Sequence, residues 1–276
     1  MPEQIVPLHP TRNAARSLKG LYLEHRLHEL GNPGSPFVYA NFVSSLDGRI
    51  AVTDSGGSGR EALAGLTSPN DFRLFQELQA QADCLITHGG YLRALAEGRL
   101  GNVLQITAPD LIEWRTQHGL SPQPAIVVAS GSLDFQVHAS IREHGQAFYI
   151  ATGRSADPAR LQALRERGDS LIFAGEGVMV EGAPLVSALS ELGYKCLYLV
   201  AGPKMLETML RDRQLSRLYL TIRHRLLGGK NFHTLIDGSR LGETEALDLR
   251  ALHYDPGEEQ GGGQWFAQFD CLTRDE

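Results

Sequence analysis

The sequence predicts a mixed α/β fold, in which a mostly parallel sheet is flanked by helices and finished by a C-terminal antiparallel β-hairpin. Short apolar runs, of the kind that a covered parallel strand needs, alternate with apolar residues at helical spacing between residues 36 and 222. Residues 247–254 and 264–272 then form two strand-like runs, joined by the acidic, turn-rich segment 255–263. One large domain with an antiparallel edge on a parallel sheet is therefore expected over residues 36–276.

Composition and charge narrow the class of protein. The 276 residues are 42% hydrophobic and 21% charged, which is typical of a globular protein. The formal net charge of -6 argues against a nucleic-acid or membrane partner, because such partners need Lys and Arg in excess on one surface. Cys84, Cys196 and Cys271 lie far apart in apolar runs, which indicates reduced thiols. With neither a signal peptide nor an apolar stretch of roughly 18 residues, a cytoplasmic protein is expected.

The first 35 residues are predicted to be an extension that precedes this domain. They are polar at first, and then place five leucines among charged residues: Leu18, Leu21, Leu23, Leu27 and Leu30. The segment Gly31-Asn32-Pro33-Gly34 stops that pattern. One amphipathic helix followed by a linker is the expected structure of the extension.

The predicted domain begins with a strand, a tight turn and a short second strand. Residues 37–43 form a compact β-type run, and residues 44–51 follow it without a helix signal. The loop 54–59 is rich in Gly and Ser and could cover a site. Thr67 or Ser68 is then expected to cap a helix that ends near Gln81. The buried stripe of that helix is predicted to comprise Phe72, Phe75, Leu78 and Ala82.

Two glycine corners follow, each between a strand and a helix. At the first corner, the strand 83–87 is broken by His88-Gly89-Gly90. At the second, the strand 196–200 meets Ala201-Gly202-Pro203 ahead of a helix. Gly202 lets backbone approach a ligand and Pro203 suits a first helical turn, so amides there could face a phosphate. Paired corners of this kind are where α/β sheets bind nucleotides, although an ordinary strand-to-helix connection has the same pattern.

The alternation of strand and helix continues along the chain. Apolar strands at 125–129 and 147–151 are followed by Ser130 and Thr152, which are therefore predicted to lie at strand ends. The further predicted elements are helix 160–167, strand 170–174, helix 184–192 and strand 218–222. No metal site is expected, because the candidate histidines stand apart from Cys and carboxylates: His224, His233 and His253.

The stretch Asn41-Phe42-Val43-Ser44-Ser45-Leu46-Asp47-Gly48-Arg49-Ile50-Ala51 resembles the opening motif of the pyrimidine reductase domain of riboflavin biosynthesis. That domain is the C-terminal reductase part of a bifunctional deaminase/reductase and a relative of dihydrofolate reductase. Five further segments follow the family's order and spacing: Thr67-Ser68-Pro69, 82–86, 126–130, Ala201-Gly202-Pro203 and 226–229. The chain lacks the zinc signature of the deaminase, so the reductase part alone is expected.

The resemblance covers residues 36 to 272 and implies a dihydrofolate reductase-like three-layer fold. It also implies an NADPH-dependent reductase that transfers hydride to a ribosylamino-pyrimidine or related heterocycle, a small-molecule substrate and a homodimer. Backbone amides and a helix N-terminus would hold the dinucleotide at the carboxyl edge of the sheet. The residues that it assigns to the cofactor are Ser44, His88, Gly89, Gly90, Ser130, Gly202, Pro203, Lys204, Met205 and Leu206. Arg93 and Arg154 are candidates for the 2′-phosphate, or ordinary surface arginines.

Asp47 is the catalytic acid that the resemblance suggests near the substrate. In one interpretation it hydrogen-bonds or protonates a substrate nitrogen, with a pKa raised by burial. In the other, it forms a turn with Gly48, and its carboxylate accepts from backbone amides two residues on. Ser45 and Arg73 complete the predicted substrate side. Nothing requires a metal or a covalent intermediate, because hydride transfer is the chemistry of the cofactor.

The usual substrate contacts of the family are missing or moved in this chain. The positions concerned, where the family carries charged or polar groups, hold Gln79, Tyr91, Leu95 and Val200. One of three arginines could take over a substrate phosphate: Arg60, Arg73 or Arg99. Two alternatives therefore stay open, a catalytically idle nucleotide-binding relative that acts as a sensor or partner, and a reductase of a different small substrate.

Overall fold

The structure is a computed structural model, and it describes residues 4–53, 60–62, 66–236, 238, 240–241, 246–257 and 262–271. Its contacts divide the chain into two compact units. The first comprises Met1–His25, Tyr39–Phe75 and Leu215–Glu276, and the second comprises Arg26–Val38 and Gln76–Gln214. The domain predicted over residues 36–276 contributes to both units, and its status as one domain stays a prediction.

The secondary structure alternates as the sequence predicts. The strands are β1 (Gln4–His9), β2 (Arg16–Ser17), β3 (Phe37–Ser45), β4 (Ala51–Thr53), β5 (Arg60–Ala62), β6 (Cys84–His88), β7 (Ala125–Ala129), β8 (Phe148–Thr152), β9 (Ser170–Phe173), β10 (Cys196–Leu199), β11 (Arg217–Arg223), β12 (Phe232–His233), β13 (Leu247–Asp255) and β14 (Gln264–Cys271). The α-helices are α1 (Pro69–Gln81), α2 (Gly89–Ala96), α3 (Pro109–Gln117), α4 (Pro158–Glu166), α5 (Gly182–Glu191) and α6 (Pro203–Arg211). Single 3-10 turns occur at Leu23–His25, Leu27–Glu29 and Ala139–Ile141.

The first unit is built on strands in the order β2-β1-β13-β14-β11-β3. β11 is parallel to β3 on one side and antiparallel to β14 on the other. β13 and β14 pair antiparallel from Leu247 opposite Cys271 to Asp255 opposite Gln264, which confirms the predicted C-terminal hairpin. A small second sheet has the order β12-β4-β5. The predicted loop 54–59 lies outside the described residues.

The N-terminal extension differs from the expected amphipathic helix. Residues 4–9 form β1, which pairs antiparallel with β13, and only two short 3-10 turns occur in the leucine-rich part. Gly20 has φ +88° and Arg26 has φ +49°, and both values interrupt an α-helix. The leucine spacing was misleading because the leucines do not form one buried helical stripe: Leu18 and Leu27 are fully buried, whereas Leu30 is exposed.

Helix α1 begins and ends where the sequence predicts. The Ser68 hydroxyl accepts a hydrogen bond from the Asp71 amide at 3.1 Å, which identifies Ser68 as the capping residue. The predicted apolar stripe is partly wrong, because Phe72 is 45% exposed while Leu74 and Leu78 are buried. The buried face of α1 is thus rotated from the predicted one.

The second unit is an open parallel sheet in the order β10-β6-β7-β8-β9. β7 is buried throughout and β6 nearly so, which explains their continuous apolar sequences. Helices α2, α4, α5 and α6 alternate with the strands along the chain, and α3 is an additional helix that the sequence did not indicate. The carboxyl ends of the parallel strands therefore lie along one edge of this sheet.

Candidate active site

Two helix N-termini follow neighbouring strands of the second unit. β10 and β6 pair in parallel, with Leu199 opposite Ile86. β6 runs into α2 through His88 and β10 runs into α6 through Gly202, and neither of these two N-cap residues caps its helix with its own side chain. The first amides of a helix have no partner within the helix, so they can bind an anion.

The His88 side chain lies beside both glycine corners. A methyl group added at Gly90 would lie 2.9 Å from His88 Nδ1, and one added at Gly202 would lie 3.9 Å from His88 Nε2. The imidazole therefore extends from the β6 corner to the β10 corner. The sequence predicts two corners at neighbouring strand ends, and the structure brings them together.

Ser130 lies against the first corner from the end of β7. A methyl group at Gly89 would come within 2.9 Å of both Ser130 Oγ and the Phe135 ring, so only glycine fits there without displacement. Ser130 Oγ accepts a hydrogen bond from the Leu133 amide at 3.0 Å. Ser130 is thus fixed beside the amides of α2.

Not all of the predicted cofactor-binding residues in the first turn of α6 have a main-chain amide that is available to a ligand. The amides of Met205 and Leu206 both donate to the Gly202 carbonyl, at 3.0 and 3.3 Å, and their side chains are buried. Pro203 has no N–H. The Lys204 amide and its exposed side chain are therefore the groups of this turn, with Gly202, that can meet an anion.

The N-termini of two other helices of the second unit, α4 and α5, are capped by carboxylates. Asp157 accepts from the amides of Ala159 and Arg160 at the start of α4, at 2.8 and 3.2 Å. Asp212 accepts from the amides of Gly182 and Ala183 at the start of α5, at 2.6 and 3.0 Å. The positive ends of α4 and α5 are thereby neutralised by carboxylates, whereas the N-cap residues of α2 and α6, His88 and Gly202, form no side-chain cap.

A second group of predicted residues meets in the first unit, and we call it the Asp47 clasp: Ser45, Asp47, Arg49, Leu227 and Gly228. The Asp47 carboxylate accepts from the Ser45 hydroxyl at 2.5 Å and from the amides of Leu227 and Gly228 at 3.1 and 3.0 Å. Arg49 Nη1 lies 2.9 Å from Asp47 Oδ2, and its guanidinium lies over the Phe232 ring at 4.4 Å. Asp47 therefore ties the end of β3 to the loop after β11.

These hydrogen bonds lower the pKa of Asp47, with the Ser45 hydroxyl as the largest cause and the amides of Gly228 and Leu227 next. The expectation that burial raises this pKa is wrong, because the donors outweigh desolvation. The turn interpretation is right that the carboxylate accepts from amides, but the donors are 180 and 181 positions further along the chain. Gly48, at φ +77°, makes the local turn. The ionised Asp47 is an acceptor and not a proton donor.

Two further predicted residues remain, Ser44 for the nicotinamide end and Arg73 for the substrate side. Ser44 is buried near the end of β3, opposite Ile222 of β11. Arg73 lies on α1, half-buried, two positions beyond Asp71. The cofactor role of Ser44 and the substrate role of Arg73 stay predictions.

The positions where family contacts are missing have structural partners in the second unit. Gln79 donates to the Val103 carbonyl at 3.0 Å. The Tyr91 hydroxyl donates to the Gly101 carbonyl and accepts from the Val103 amide, both at 2.9 Å. Leu95 is buried, and the Val200 amide donates to Ile86. These side chains hold the loop near residue 103 and the core, so a substrate phosphate needs other partners.

Several candidate arginines already have partners. Arg93 donates to the Asp134 carbonyl at 2.6 Å, and Arg154 Nε lies 3.1 Å from Glu176 Oε1. Arg99 donates to Glu97 at 2.6 Å. The Arg60 side chain lies outside the described residues. Arg93 lies on α2, which follows β6, and Arg154 lies two positions after the end of β8. Both stay candidates for the 2′-phosphate.

Arg49 and the amides of Leu227 and Gly228 were not assigned to the site from the sequence. Gly228 has φ +65°, and the Gly228-Gly229 pair indicates a turn in which amides can converge. That pattern marks the loop, but nothing local identifies its partner near residue 47. Long-range pairs of this kind are visible only in the folded chain.

Comparison with known proteins gives the same class of enzyme. Residues 36–257 match the family described as the RibD C-terminal domain. A relative in Archaeoglobus fulgidus, 2,5-diamino-6-ribosylamino-4(3H)-pyrimidinone 5′-phosphate reductase, is 23% identical over 203 residues, which cover 74% of this chain and 87% of the relative. The enzyme of the same name from Methanothermobacter thermautotrophicus is 24% identical over 208 residues, covering 75% and 87%. The class is that of the reductases.

Solved structures share the fold. A pyrimidine reductase-like protein from Corynebacterium diphtheriae superposes with a TM-score of 0.63 at 20% identity, covering 86% of this chain and 92% of that one. The riboflavin biosynthesis reductase Rib7 of Saccharomyces cerevisiae gives a TM-score of 0.58 at 14% identity, with 92% and 99% covered. The α/β fold that the resemblance implies is therefore confirmed.

This chain belongs to the RibD C-terminal domain family, since the family match spans most of its length. The predicted family, and with it the reductase class, is confirmed. In the part of the chain that the structure describes, no helix is both long and apolar enough to cross a membrane.

Proposed function

We propose that this chain is a reductase of the riboflavin pathway that uses NADPH to reduce a ribosylamino-pyrimidine 5′-phosphate. Its relatives from Archaeoglobus fulgidus and Methanothermobacter thermautotrophicus are named for such a substrate. Reductases of this family use a nicotinamide nucleotide. The proposal therefore extends the family's reaction to a chain that is 23% and 24% identical to those enzymes.

The observation that carries the proposal is the pair of helix N-termini that follow β6 and β10, where neither N-cap residue forms a side-chain cap. The His88 side chain lies beside both of them. Each N-terminus contributes about half a positive charge and unpaired amides. A pyrophosphate is a dianion that can accept from both sets of amides, with Lys204 adding a full charge. Ser130 lies beside these amides, and Met205 and Leu206 support the turn from the core.

When bound, the nicotinamide supplies the hydride, and the chain supplies position and electrostatics. Ser44, near the end of β3, is proposed to contact the nicotinamide end of the cofactor. In the Asp47 clasp, the ionised carboxylate of Asp47 orients the Ser45 hydroxyl and the loop at residues 227–228. Asp47 is then suited to accept a hydrogen bond from a substrate N–H. Arg73 is proposed to reach the substrate phosphate.

The preference for NADPH, the homodimer and the cytoplasmic location belong to the same proposal. Arg93 or Arg154 would bind the 2′-phosphate, which NADH lacks. Cys84, Cys196 and Cys271 are free thiols, which favours a reducing compartment. Leu185 and Leu189 of α5 are buried, so α5 itself offers little to a dimer. Leu192, the first residue after α5, is 49% exposed. Sedimentation analysis that finds only monomers would remove the homodimer.

The first test is a fluorescence titration of NADPH and NADH on three proteins: the wild type, Gly202→Asp and Gly101→Asp. Gly202→Asp places a carboxylate at the N-terminus of α6, where it caps the amides and repels a phosphate. Gly101→Asp adds the same charge at an exposed glycine of the second unit with no atom near its added side chain. We expect NADPH to bind the wild type and Gly101→Asp, and to bind Gly202→Asp at least about 100-fold more weakly.

The same proteins are then assayed for NADPH oxidation with 2,5-diamino-6-ribosylamino-4(3H)-pyrimidinone 5′-phosphate. Turnover by the wild type and Gly101→Asp, but not by Gly202→Asp, is the expected result. Binding without turnover would contradict the substrate and favour the idle relative or a different substrate, as the partners of Gln79 and Tyr91 would suggest. Failure of the wild type to bind either nucleotide would overturn the cofactor site.

A further inference from the structure

A buried polar cluster lies at the N-terminus of α1, within the first unit and outside the clasp. We call it the α1 seat, and its members are Ser68, Asn70, Asp71, Thr221, Arg223, Asp255 and Gln264. Five of them expose 5% or less of their surface: Asp71, Thr221, Arg223, Asp255 and Gln264. Burying two carboxylates and a guanidinium is costly unless they are paired, so this arrangement requires an explanation.

Hydrogen bonds connect the α1 seat to three strands. The Gln264 amide donates to Ser68 Oγ at 2.8 Å and to Asp255 Oδ2 at 2.6 Å. Arg223 Nη1 donates to Gln264 Oε1 at 3.0 Å, and Asn70 donates to Asp255 Oδ2 at 2.9 Å. The start of α1 is thereby fixed to β11, β13 and β14.

Asp71 is the carboxylate of the seat that has an oxygen without a hydrogen bond in the described part of the chain. Its carboxylate accepts from Thr221, but within the described part of the chain its buried Oδ1 has no partner. Burial raises the pKa of Asp71 to about 6, although the Thr221 hydroxyl and the Arg223 guanidinium act in the opposite direction. The other charged groups at this place are Asp255 on β13 and Arg225. Burial is the largest cause that lowers the pKa of Arg223, the charge of Arg225 is the next, and Asp71 and Asp255 act in the opposite direction. A proton on the Asp71 carboxyl group would remove its buried negative charge.

The seat and the clasp share the end of β11. Arg223 of the seat lies opposite Ser45 of the clasp in the parallel pair of β11 and β3. Two residues further, the Arg225 carbonyl accepts from the Leu46 amide at 2.8 Å. Leu227 and Gly228 then donate to Asp47. A shift at Thr221 or Arg223 is therefore transmitted along a few residues of main chain to the partners of Asp47.

We propose that Asp71 is a positioning residue for the substrate side of the active site, acting through Thr221 and Arg223 on the segment that holds Asp47. The proposal rests on the function proposed above only for the identity of the substrate. It adds a residue that touches neither substrate nor cofactor and whose protonation tunes the clasp. In this proposal, Asp71 affects how the pyrimidine is positioned. It does not affect the binding of the nucleotide, which uses the second unit.

Amide hydrogen exchange tests the coupling without any turnover. In Asp71→Ala, exchange at Leu46, Leu227 and Gly228 is expected to be at least about fivefold faster than in the wild type, because the end of β11 loses its anchor. Asp212→Ala removes a carboxylate cap in the second unit and is the matched control, with unchanged exchange at the same amides. Unchanged exchange in Asp71→Ala, or equal acceleration in Asp212→Ala, would overturn the proposal. If Asp71→Ala does not fold, Asp71→Asn with exchange measured at pH 5 and pH 7 replaces it.

Kinetics then distinguishes positioning from general damage. Asp71→Ala is expected to raise KM for the pyrimidine phosphate about tenfold with kcat within about twofold, and to leave the NADPH Kd unchanged. The isosteric Asp71→Asn keeps an acceptor for Thr221, so its KM stays near that of the wild type while a step near pH 6 in kcat/KM disappears. A rise in NADPH Kd parallel to KM, or a pH step that survives in Asp71→Asn, would overturn the role. Absence of turnover in the wild type would refute the proposed substrate, while the exchange result would still decide on Asp71.

Discussion

The two compact units present different kinds of chemistry. In the second unit, the candidate groups are main-chain amides at the uncapped starts of α2 and α6, shaped by Gly89 and Gly202. In the first unit, they are side chains, with Asp47 in the clasp and Asp71 in the α1 seat. Main-chain sites depend on space and on the helix dipole, whereas side-chain sites depend on protonation and on exact partners. Substitutions should therefore fail in different ways in the two units.

The two carboxylates of the first unit show how strongly surroundings decide. Three hydrogen-bond donors and the charge of Arg49 lower the pKa of Asp47, while burial raises that of Asp71. Asp47 follows the end of β3, and Asp71 on α1 accepts from Thr221 of the neighbouring strand β11. The opposite directions of their pKa shifts follow from the number of donors that each can reach. Asp47 is suited to accept, and Asp71 is the group that can hold a proton near neutral pH.

The largest effect is expected for Asp47→Ala. It leaves the Ser45 hydroxyl, two amides and Arg49 without their shared acceptor, so kcat/KM for the pyrimidine phosphate should fall by about 100-fold. Asp47→Asn keeps one acceptor oxygen and should lose about tenfold. Steady-state assays and NADPH titrations measure both, and the NADPH Kd should not change. A parallel loss of nucleotide binding would break the separation between the two units.

The next effect concerns the pH dependence of stability at Asp71. The pKa of Asp71 rises from its ordinary value of 3.8 to about 6 on folding, so the native state binds more protons than the unfolded chain between those values. The free energy of unfolding should therefore fall as pH rises from 4 to 6, by about 2 kcal/mol from this group. Asp71→Asn does not titrate, so it should gain stability relative to the wild type by that amount between pH 4 and pH 7. Urea unfolding at both pH values measures it, and a constant difference would contradict the assignment.

Gly89→Ala sharpens the comparison from the second unit. The added methyl group would lie 2.9 Å from Ser130 Oγ and from the Phe135 ring, so Ser130 must move away from the α2 amides. We expect NADPH to bind about tenfold more weakly, because the amides and Ser130 no longer present one surface. Gly101→Ala, where the methyl group meets no atom within 4 Å, is the matched control. Equal affinities of the two variants, measured by fluorescence titration, would show that the corner tolerates displacement.

The smallest effect is expected at a capped helix start. Asp212→Ala removes the acceptor of the Gly182 and Ala183 amides and should lower the free energy of unfolding by about 1 kcal/mol. NADPH affinity should be unchanged, since α5 is capped within the chain and is not proposed to bind the cofactor. Chemical denaturation and titration on the same sample test both statements. Weaker NADPH binding would mean that the capped starts also contribute to the site.

The parts of the fold that could be predicted are those that short stretches of sequence determine. The boundaries of α1 follow from Ser68, Pro69 and the apolar spacing, and the glycine corners follow from apolar runs that end in Gly. The hairpin of β13 and β14 is marked by two strand-like runs and a turn. In each case, the interaction that decides the structure lies within a few residues.

The parts that were missed depend on distant partners. Residues 4–9 become a strand because β13 provides an edge, with Val6 opposite Tyr254, and no nearby residue indicates that pairing. The pKa of Asp47 is lowered by amides at Leu227 and Gly228, so its direction could not be inferred from the local motif. The orphaned oxygen of Asp71 likewise arises only from burial under strands that come late in the chain.

The division of the chain also orders events during synthesis. The second unit ends at Gln214, so all of its residues have been made before β11 begins at Arg217. The first unit consists of three separate stretches of sequence. Its earlier stretches cannot complete their sheet until the ribosome has added β11, which comes much later in the chain. Long-range pairing of this kind closes slowly. We therefore expect the second unit to form while the nascent chain is still growing, and the edge of β3 that pairs with β11 to stay unpaired until β11 emerges.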